Sequence, residues 1–149
     1  MTVKRSKSRF RLENSGFTII ELMVVTTVFA ILTAIAMPQF RNVQTRFRLD
    51  GATRQVFSEL MSARAKAVNE NATYTVTFPN TYTVQIVGSA TRTVNLRTLF
   101  NSDVTVSSSA ATINLSSRGT SDVGSTITVS NSSGSRTVSL KITGGATIS

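Results

Sequence analysis

The feature that most limits how this chain can fold is an apolar stretch near its start. Residues 17–37 read FTIIELMVVTTVFAILTAIAM and carry one charged side chain, that of Glu21. As a helix they would span roughly 31 Å at about 1.5 Å per residue, which matches a bilayer core of about 30 Å. The apolar part of an ordinary secretory signal is shorter, about 7–15 residues. We therefore expect a membrane-spanning helix.

The charges on either side of this stretch predict its orientation. The preceding leader holds one acid and five cations: Lys4, Arg5, Lys7, Arg9 and Arg11. Positive charge is retained on the cytoplasmic side of membranes, so the N-terminus should lie in the cytoplasm. Arg41, Arg46 and Arg48 follow the other end and oppose this bias. Because the leader has more cations, we predict an N-in, C-out orientation.

Glu21 is an unusual residue for a spanning helix, because an acid in hydrocarbon is costly and normally needs a partner. If the chain were cut after Gly16, the new α-amino group of Phe17 would be a cation at the edge of the same segment. It would pair with Glu21 of its own chain or of a neighbour. A signal-anchor helix whose Glu21 reaches interfacial water is the alternative. The residues alone leave both interpretations open.

The string from 15 to 22, SGFTIIEL, resembles the class III signal of type IV prepilins and type II secretion pseudopilins. In that family a membrane peptidase cuts after the glycine and methylates the new N-terminal residue. The resemblance implies cleavage between Gly16 and Phe17 and N-methylation of Phe17. It also implies that Glu21 neutralises the amine of an adjacent subunit during assembly. Pro38 lies where many type IV pilins also have proline.

Residues 39–71 have the pattern of an amphipathic helix that continues the apolar one. Apolar residues recur at intervals of three and four: Phe40, Val43, Phe47, Val56, Phe57, Leu60, Met61, Ala65 and Val68. Pro38 is expected to kink the helix or loosen one turn, and Gly51 is a second weak point. The other face carries cations: Arg41, Arg46, Arg48, Arg54, Arg64 and Lys66. We interpret them as a solvated face, with contact of residues 41–48 to anionic headgroups as the alternative.

Residues 72–149 are rich in Ser and Thr and alternate like strands. A hairpin is predicted from 73–78 and 82–87, and further strands at 91–96, 104–106, 112–115, 126–130 and 137–142. The alternation indicates an antiparallel sheet with one solvated face. Such a small domain without disulfides is marginal alone. We expect it to pack on the helix face that runs from Val56 to Val68.

The predicted fold class is therefore α+β. A long N-terminal helix, membrane-spanning in its first half and amphipathic in its second, packs on a C-terminal antiparallel β-sheet domain. The four parts are a cleaved leader at 1–16, a transmembrane and assembly helix at 17–38, an amphipathic helix at 39–71 and a β-rich domain at 72–149.

A second resemblance lies at the junction of helix and sheet. Residues 60–71, LMSARAKAVNEN, are similar to the L-x-x-A-R-x-x-A-(V/I)-x-x-N helix end of the GspH/FimT pseudopilin group. An immediate hairpin and a late turn glycine, here Gly119, also fit that group. The resemblance implies a minor pilin or pseudopilin that primes or caps a type IV pilus or type II secretion pseudopilus. Implied partners are other pilins, the prepilin peptidase and the inner-membrane assembly platform, with the C-terminal domain in the periplasm.

Composition argues against an enzyme. With neither Cys nor His, the chain has no disulfide, no thiolate zinc site and no Ser-His-Asp triad. Asp103 and Asp122 are the only acids of the distal domain, and a Ser-Lys dyad with Lys141 stays open. We expect no catalytic residues, metal or cofactor.

DNA binding in a natural-transformation pilus is the alternative function. Arg118, Arg136 and Lys141 lie in the distal domain, and nonspecific DNA contact needs little more than such cations. DNA-binding FimT-like pilins, however, have a Gly-Arg-rich segment near their end. Here residues 144–147 read GGAT, without arginine.

Overall fold

The computed structural model describes residues 16–100 and 103–149, so all of the predicted leader except Gly16 lies outside it. The described chain forms a long helix, a short helix and eight strands. In chain order they are α1 (Ile19–Asn69), β1 (Tyr74–Asn80), β2 (Thr83–Val87), β3 (Thr91–Asn95), α2 (Leu96–Phe100), β4 (Thr105–Ser108), β5 (Thr112–Leu115), β6 (Ser125–Asn131), β7 (Gly134–Leu140) and β8 (Ala146–Ile148). The predicted α+β class is confirmed.

The strands form two antiparallel sheets of four strands each, not the single sheet that the sequence predicted. One sheet has the order β3-β2-β1-β5 and the other the order β4-β6-β7-β8. The partition arises because β5 returns to pair with β1, while β4 pairs with β6. Alternation along a strand predicts which face is buried, but it does not specify the partner strand.

Helix α1 is unbroken at the two positions where weakness was expected. The helix continues through both Pro38 and Gly51. The chain divides at this proline into two compact units, one ending at Pro38 and one beginning at Gln39. Within the second unit Gly51 has a packing role, because a Cβ built on it would lie 2.8 Å from Cε1 of Phe100.

The core of the second unit contains one face of α1. Residues spaced by three and four are buried there: Leu49, Ala52, Val56, Leu60, Ala63 and Ala67. The prediction was right for Val56 and Leu60 but wrong at the end of the helix, where Ala65 and Val68 are exposed. The face continues through alanines, whose small side chains permit close packing but give a weak hydrophobic signal.

Both sheets contribute to the same core. Its buried strand residues include Tyr74, Val76, Val84, Ile86, Val94, Ile113 and Leu115 from the first sheet and Val106, Ile127, Val129, Val138 and Leu140 from the second. The expectation that the helix supplies apolar surface to the β domain is therefore confirmed.

The helix ends in a backbone motif that directs the chain into β1. Asn71 has a left-handed φ of 49°, and Ala72 N donates to Ala67 O at 3.0 Å. Asn71 N donates to Val68 O at 3.3 Å. These two bonds form a Schellman-type C-cap, in which asparagine is one of the few tolerated residues.

Two elements, α2 and β8, were not predicted. The strand predicted at 91–96 ends at Asn95, whose Oδ1 accepts hydrogen bonds from Arg97 N at 3.0 Å and Thr98 N at 3.3 Å. Asn95 thus caps α2 and ends β3. Strand β8 is three residues long and pairs with β7 at the edge of its sheet. Its brevity left no alternation to detect.

Candidate assembly site and cationic surface

The predicted processing and assembly residues lie at the start of α1. Gly16, Phe17 and Thr18 precede the helix. Thr18 caps it, because Thr18 Oγ1 accepts a hydrogen bond from Glu21 N at 3.2 Å and Thr18 O accepts one from Leu22 N at 3.1 Å. Glu21 is consequently the third helical residue, the position of the acid in a capping box. This cap was not predicted, although T-x-x-E is its sequence signature.

Position three also favours an acid electrostatically, since the helix N-terminus carries partial positive charge. Within residues 16–100 and 103–149, the Glu21 carboxylate accepts no hydrogen bond and forms no ion pair. Its neighbours are exposed apolar side chains: Phe17, Ile19, Ile20 and Leu22. The carboxylate is therefore available to a partner outside the described chain.

The first part of α1 has the composition of a membrane span. Among the described residues, α1 is the one helix long and apolar enough to cross a bilayer. Its most apolar 18-residue segment has a mean hydropathy of 2.4, and no residue of that segment is buried.

The three distal cations do not form one cluster. Arg118 is exposed in the turn between β5 and β6, where its amide donates to Ser116 Oγ at 3.3 Å. Lys141 is exposed in the β7–β8 turn, and its carbonyl accepts from Gly144 N at 2.8 Å. Arg136 instead forms an ion pair with Asp50 of α1, with 3.1 Å from Nε to Oδ1. The turns that carry Arg118 and Lys141 therefore lie together, whereas Arg136 lies apart from them, beside Asp50.

Arg64 joins those two turns to the helix. Its Nε donates to Gly119 O at 2.8 Å, and Gly144 packs directly on the same carbonyl. Arg136 lies far from this junction, because its partner Asp50 is roughly 21 Å from Arg64 along α1 at about 1.5 Å per residue. Arg64 was expected on a solvated face. It is half-buried, and it connects the two segments that carry the second resemblance.

Glu59 is a buried acid whose role was not predicted from the sequence. Only 5% of its side chain is exposed, and Oε1 accepts hydrogen bonds at 2.8 Å from Arg92 Nη2 and from Gln55 Nε2. The bonds satisfy a charge that would otherwise be costly to bury. They attach β3 to α1, so this is a structural contact.

Asp122 holds the turn that carries Arg118. Burial raises the pKa of its carboxyl, but hydrogen bonds from Asn114 and from the backbone of Val123 outweigh burial and leave the pKa below its usual range. The Asn114 amide N donates to Oδ1 at 2.9 Å, and Asn114 Nδ2 donates to Oδ2 at 2.8 Å.

We predict that the domain loses stability in acid because the stabilising contribution of the Asp122 carboxylate disappears. Its pKa is depressed in the folded state, so its contribution is present above the ordinary pKa and disappears as pH falls through the folded value. The thermal unfolding midpoint should fall as the pH drops below the ordinary carboxyl range, and it should fall less steeply in Asp122→Asn. The lowered pKa of Glu70, caused by hydrogen bonds from Ser89 and Tyr74, acts with the same sign and remains in both proteins. Equal pH profiles would contradict the prediction.

Among the described residues no group of three or more acidic, His or Cys side chains is placed to hold a metal ion. The absence of catalysis and of a cofactor stays a prediction.

A long N-terminal helix on an antiparallel β domain defines the class of pilin-like subunits. The type IV minor pilin FimU of Pseudomonas aeruginosa has this fold in two crystal forms, with TM-scores of 0.60 and 0.55. The first match has 16% sequence identity and covers 70% of this chain and 90% of FimU. At such low identity the likeness shows the fold alone.

Sequence comparison identifies the family. Residues 52–145 match the family described as type II transport protein GspH, and residues 11–37 match the prokaryotic N-terminal methylation motif. The chain belongs to the GspH family.

Curated relatives match only part of this chain. The type IV major pilin protein PilA of Myxococcus xanthus is 54% identical over 39 residues, which are 26% of this chain and 18% of PilA. A fimbrial protein of Pseudomonas aeruginosa is 42% identical over 55 residues, which are 37% of this chain and 35% of that protein. The chain thus matches about a third or less of these relatives.

Proposed function

We propose that this chain is a minor pilin or pseudopilin, a structural subunit that primes or caps a type IV pilus or type II secretion pseudopilus. The observation that carries the proposal is the start of α1, where an exposed apolar helix has in its first turn an acid, Glu21, that forms no ion pair with the residues the structure describes. Such a helix is unsuited to water, and it becomes stable in a bilayer or among copies of similar helices. The folded β domain would remain outside the membrane.

Processing creates a cationic partner for Glu21. In this proposal the prepilin peptidase cuts between Gly16 and Phe17 and methylates the new amine of Phe17. That amine then pairs with Glu21 of an adjacent pilin as the assembly platform transfers subunits from the inner membrane. The leader stays in the cytoplasm and the β domain in the periplasm. The match of residues 11–37 to the methylation motif supports this sequence of events.

DNA binding in an uptake pilus is a weaker candidate. Arg118 and Lys141 lie in neighbouring turns and present two exposed cations. Arg136 is already paired with Asp50. Two cations release few counterions, so the expected affinity for duplex DNA is low.

Deletion of the gene, followed by three assays on the same strain, tests the function. We expect loss of either exoprotein secretion or surface pili with twitching, and restoration by the plasmid-borne gene. Loss of secretion alone assigns the subunit to a type II pseudopilus, and loss of pili assigns it to priming. Loss of labelled-DNA uptake with pili intact would favour the DNA alternative. An unchanged strain in all three assays would contradict a role in filament priming.

A further inference from the structure

A basic cleft lies where the hairpin between β6 and β7 meets α1. It consists of two adjoining pockets that share Arg46 and Ser133. One pocket, of about 270 Å³, also contains Arg41 and Ser132, and the other, of about 250 Å³, also contains Ser135 and Arg136. Asn131 Nδ2 donates to Thr45 O at 2.8 Å and fixes the hairpin to the helix. All of these residues belong to the second compact unit.

The cleft has unbalanced positive charge. Among residues 16–100 and 103–149, the guanidinium groups of Arg41 and Arg46 take part in neither of the two ion pairs. Asp50, the acid in the cleft wall, is paired with Arg136. The serine hydroxyls add uncharged polar groups. An anion with several oxygen acceptors, such as a phosphate, suits this arrangement because a planar guanidinium binds phosphate through two hydrogen bonds.

A second copy of this chain is poorly suited to supply that anion. In the described region beyond residue 21, every carboxylate already accepts a hydrogen bond from its own chain: Asp50, Glu59, Glu70, Asp103 and Asp122. These contacts hold each carboxylate against its own chain, so it is less free to reach into the cleft of a second copy.

The residues around the cleft favour a lipid over free phosphate. Arg41 is four residues beyond Met37, where the apolar run ends. Phe40, Val43 and Phe47 recur at intervals of three and four on α1 and are 71%, 48% and 72% exposed. Arginines just beyond an apolar span lie within reach of an anionic headgroup layer, which attracts them.

We propose that the basic cleft binds the phosphodiester headgroup of an anionic phospholipid through Arg41 and Arg46. The inference rests on the membrane anchoring in the proposed function and does not need filament assembly. The bound lipid would hold the unassembled subunit at a fixed depth.

The test measures binding of short-chain phosphatidylglycerol to the full chain in micelles of an uncharged detergent. We expect Arg41→Gln and Arg46→Gln each to weaken binding by about fivefold, and the double variant by about 25-fold, since each basic residue near an anionic surface contributes about a factor of five. Lys66→Gln is the matched control, because it removes one exposed cation from the same helix outside the cleft. The leader cations are common to all variants and do not affect the comparison. Thermal unfolding verifies that each variant is folded.

Short-chain phosphatidylcholine should bind at least tenfold more weakly, and millimolar inorganic phosphate should not displace phosphatidylglycerol. Displacement by phosphate would overturn the lipid proposal, and so would equal losses in Lys66→Gln and Arg46→Gln. Failure of the full chain to insert into phosphatidylcholine vesicles would count against the proposed function itself. Insertion without preference for phosphatidylglycerol would overturn this inference alone.

Discussion

A subunit with Glu21→Gln should insert into the membrane and lose its leader normally, yet be nearly absent from sheared filaments. The substitution keeps the size of the side chain but removes its charge. The amine of the neighbouring Phe17 would then be left without a counter-charge in apolar surroundings. A charge costs about 2.5–3.5 kcal/mol at the centre of a membrane helix on insertion scales and less near its end, so incorporation should fall by about tenfold to a hundredfold.

The matched size and polarity of glutamine make this variant more informative than Glu21→Ala. Glutamine serves as well as glutamate at the third position of a capping box, so Glu21→Gln preserves the cap and tests the charge. Thr18→Ala does the reverse, because it removes the acceptor of the Glu21 amide, at a cost of about 1 kcal/mol, and keeps the carboxylate. Thr18→Ala should therefore still enter filaments. Glu21→Ala and Glu21→Val keep the Thr18 bond to the backbone amide of residue 21, but they remove the charge and the polar side chain together.

The measurement combines an immunoblot of the sheared filament fraction with the mass of the mature N-terminus. The mass verifies that every variant has been cut after Gly16 and methylated. Normal incorporation of Glu21→Gln would refute the charge-pairing role. If Thr18→Ala were excluded as strongly as Glu21→Gln, the helix cap would be the important feature.

The sequence predicted the elements of this fold better than their arrangement. Apolar periodicity located α1, and alternation located β1, β2 and β5 within a few residues, because both signals are local. The partition into two sheets depends on the return of β5 to β1, a long-range pairing that no local pattern specifies. The buried face of α1 was misjudged near its end because Ala63 and Ala67 carry the packing there.

The candidate sites also combine features that a local sequence pattern indicates with features that depend on long-range packing. The start of α1 was readable because a charge within an apolar run is conspicuous. Its capping hydrogen bond, the pairing of Arg136 with Asp50 and the burial of Glu59 depend on which surfaces meet. The identity of a residue indicates what it can bind, but only the packing shows whether that capacity is already used.

Gly144 gives the largest expected effect on stability. It has a left-handed φ of 80°, and a Cβ built on it would overlap the carbonyl oxygen of Gly119 and lie 2.8 Å from Arg64 Nε. That carbonyl is the acceptor of the Arg64 hydrogen bond. Gly144→Ala should therefore separate the β7–β8 turn from the turn at Gly119 and weaken the contact of both with α1.

The expected loss has two parts. A left-handed conformation costs an alanine about 1–2 kcal/mol, and overpacking a closed contact costs about 1–3 kcal/mol more. The free energy of unfolding should fall by about 2–5 kcal/mol, which lowers the unfolding midpoint by roughly 10 °C or more for a domain of this size. Near-UV circular dichroism of Tyr74 and Tyr82 during heating of the full chain would report it.

Substitutions at two other glycines separate the cost of the left-handed backbone from the cost of overpacking. Gly145 is adjacent, and its Cβ would meet only Thr143 Oγ1, at 3.9 Å, so Gly145→Ala should change stability by no more than about 0.5 kcal/mol. Gly134 has a φ of 143° with nothing within 4 Å of its Cβ, so Gly134→Ala measures backbone strain without a clash. The order of destabilisation should be Gly144, then Gly134, then Gly145. If Gly144→Ala were no more destabilising than Gly134→Ala, the junction of Arg64, Gly119 and Gly144 would be looser than the structure indicates, and Arg118 and Lys141 would not be held in a fixed arrangement.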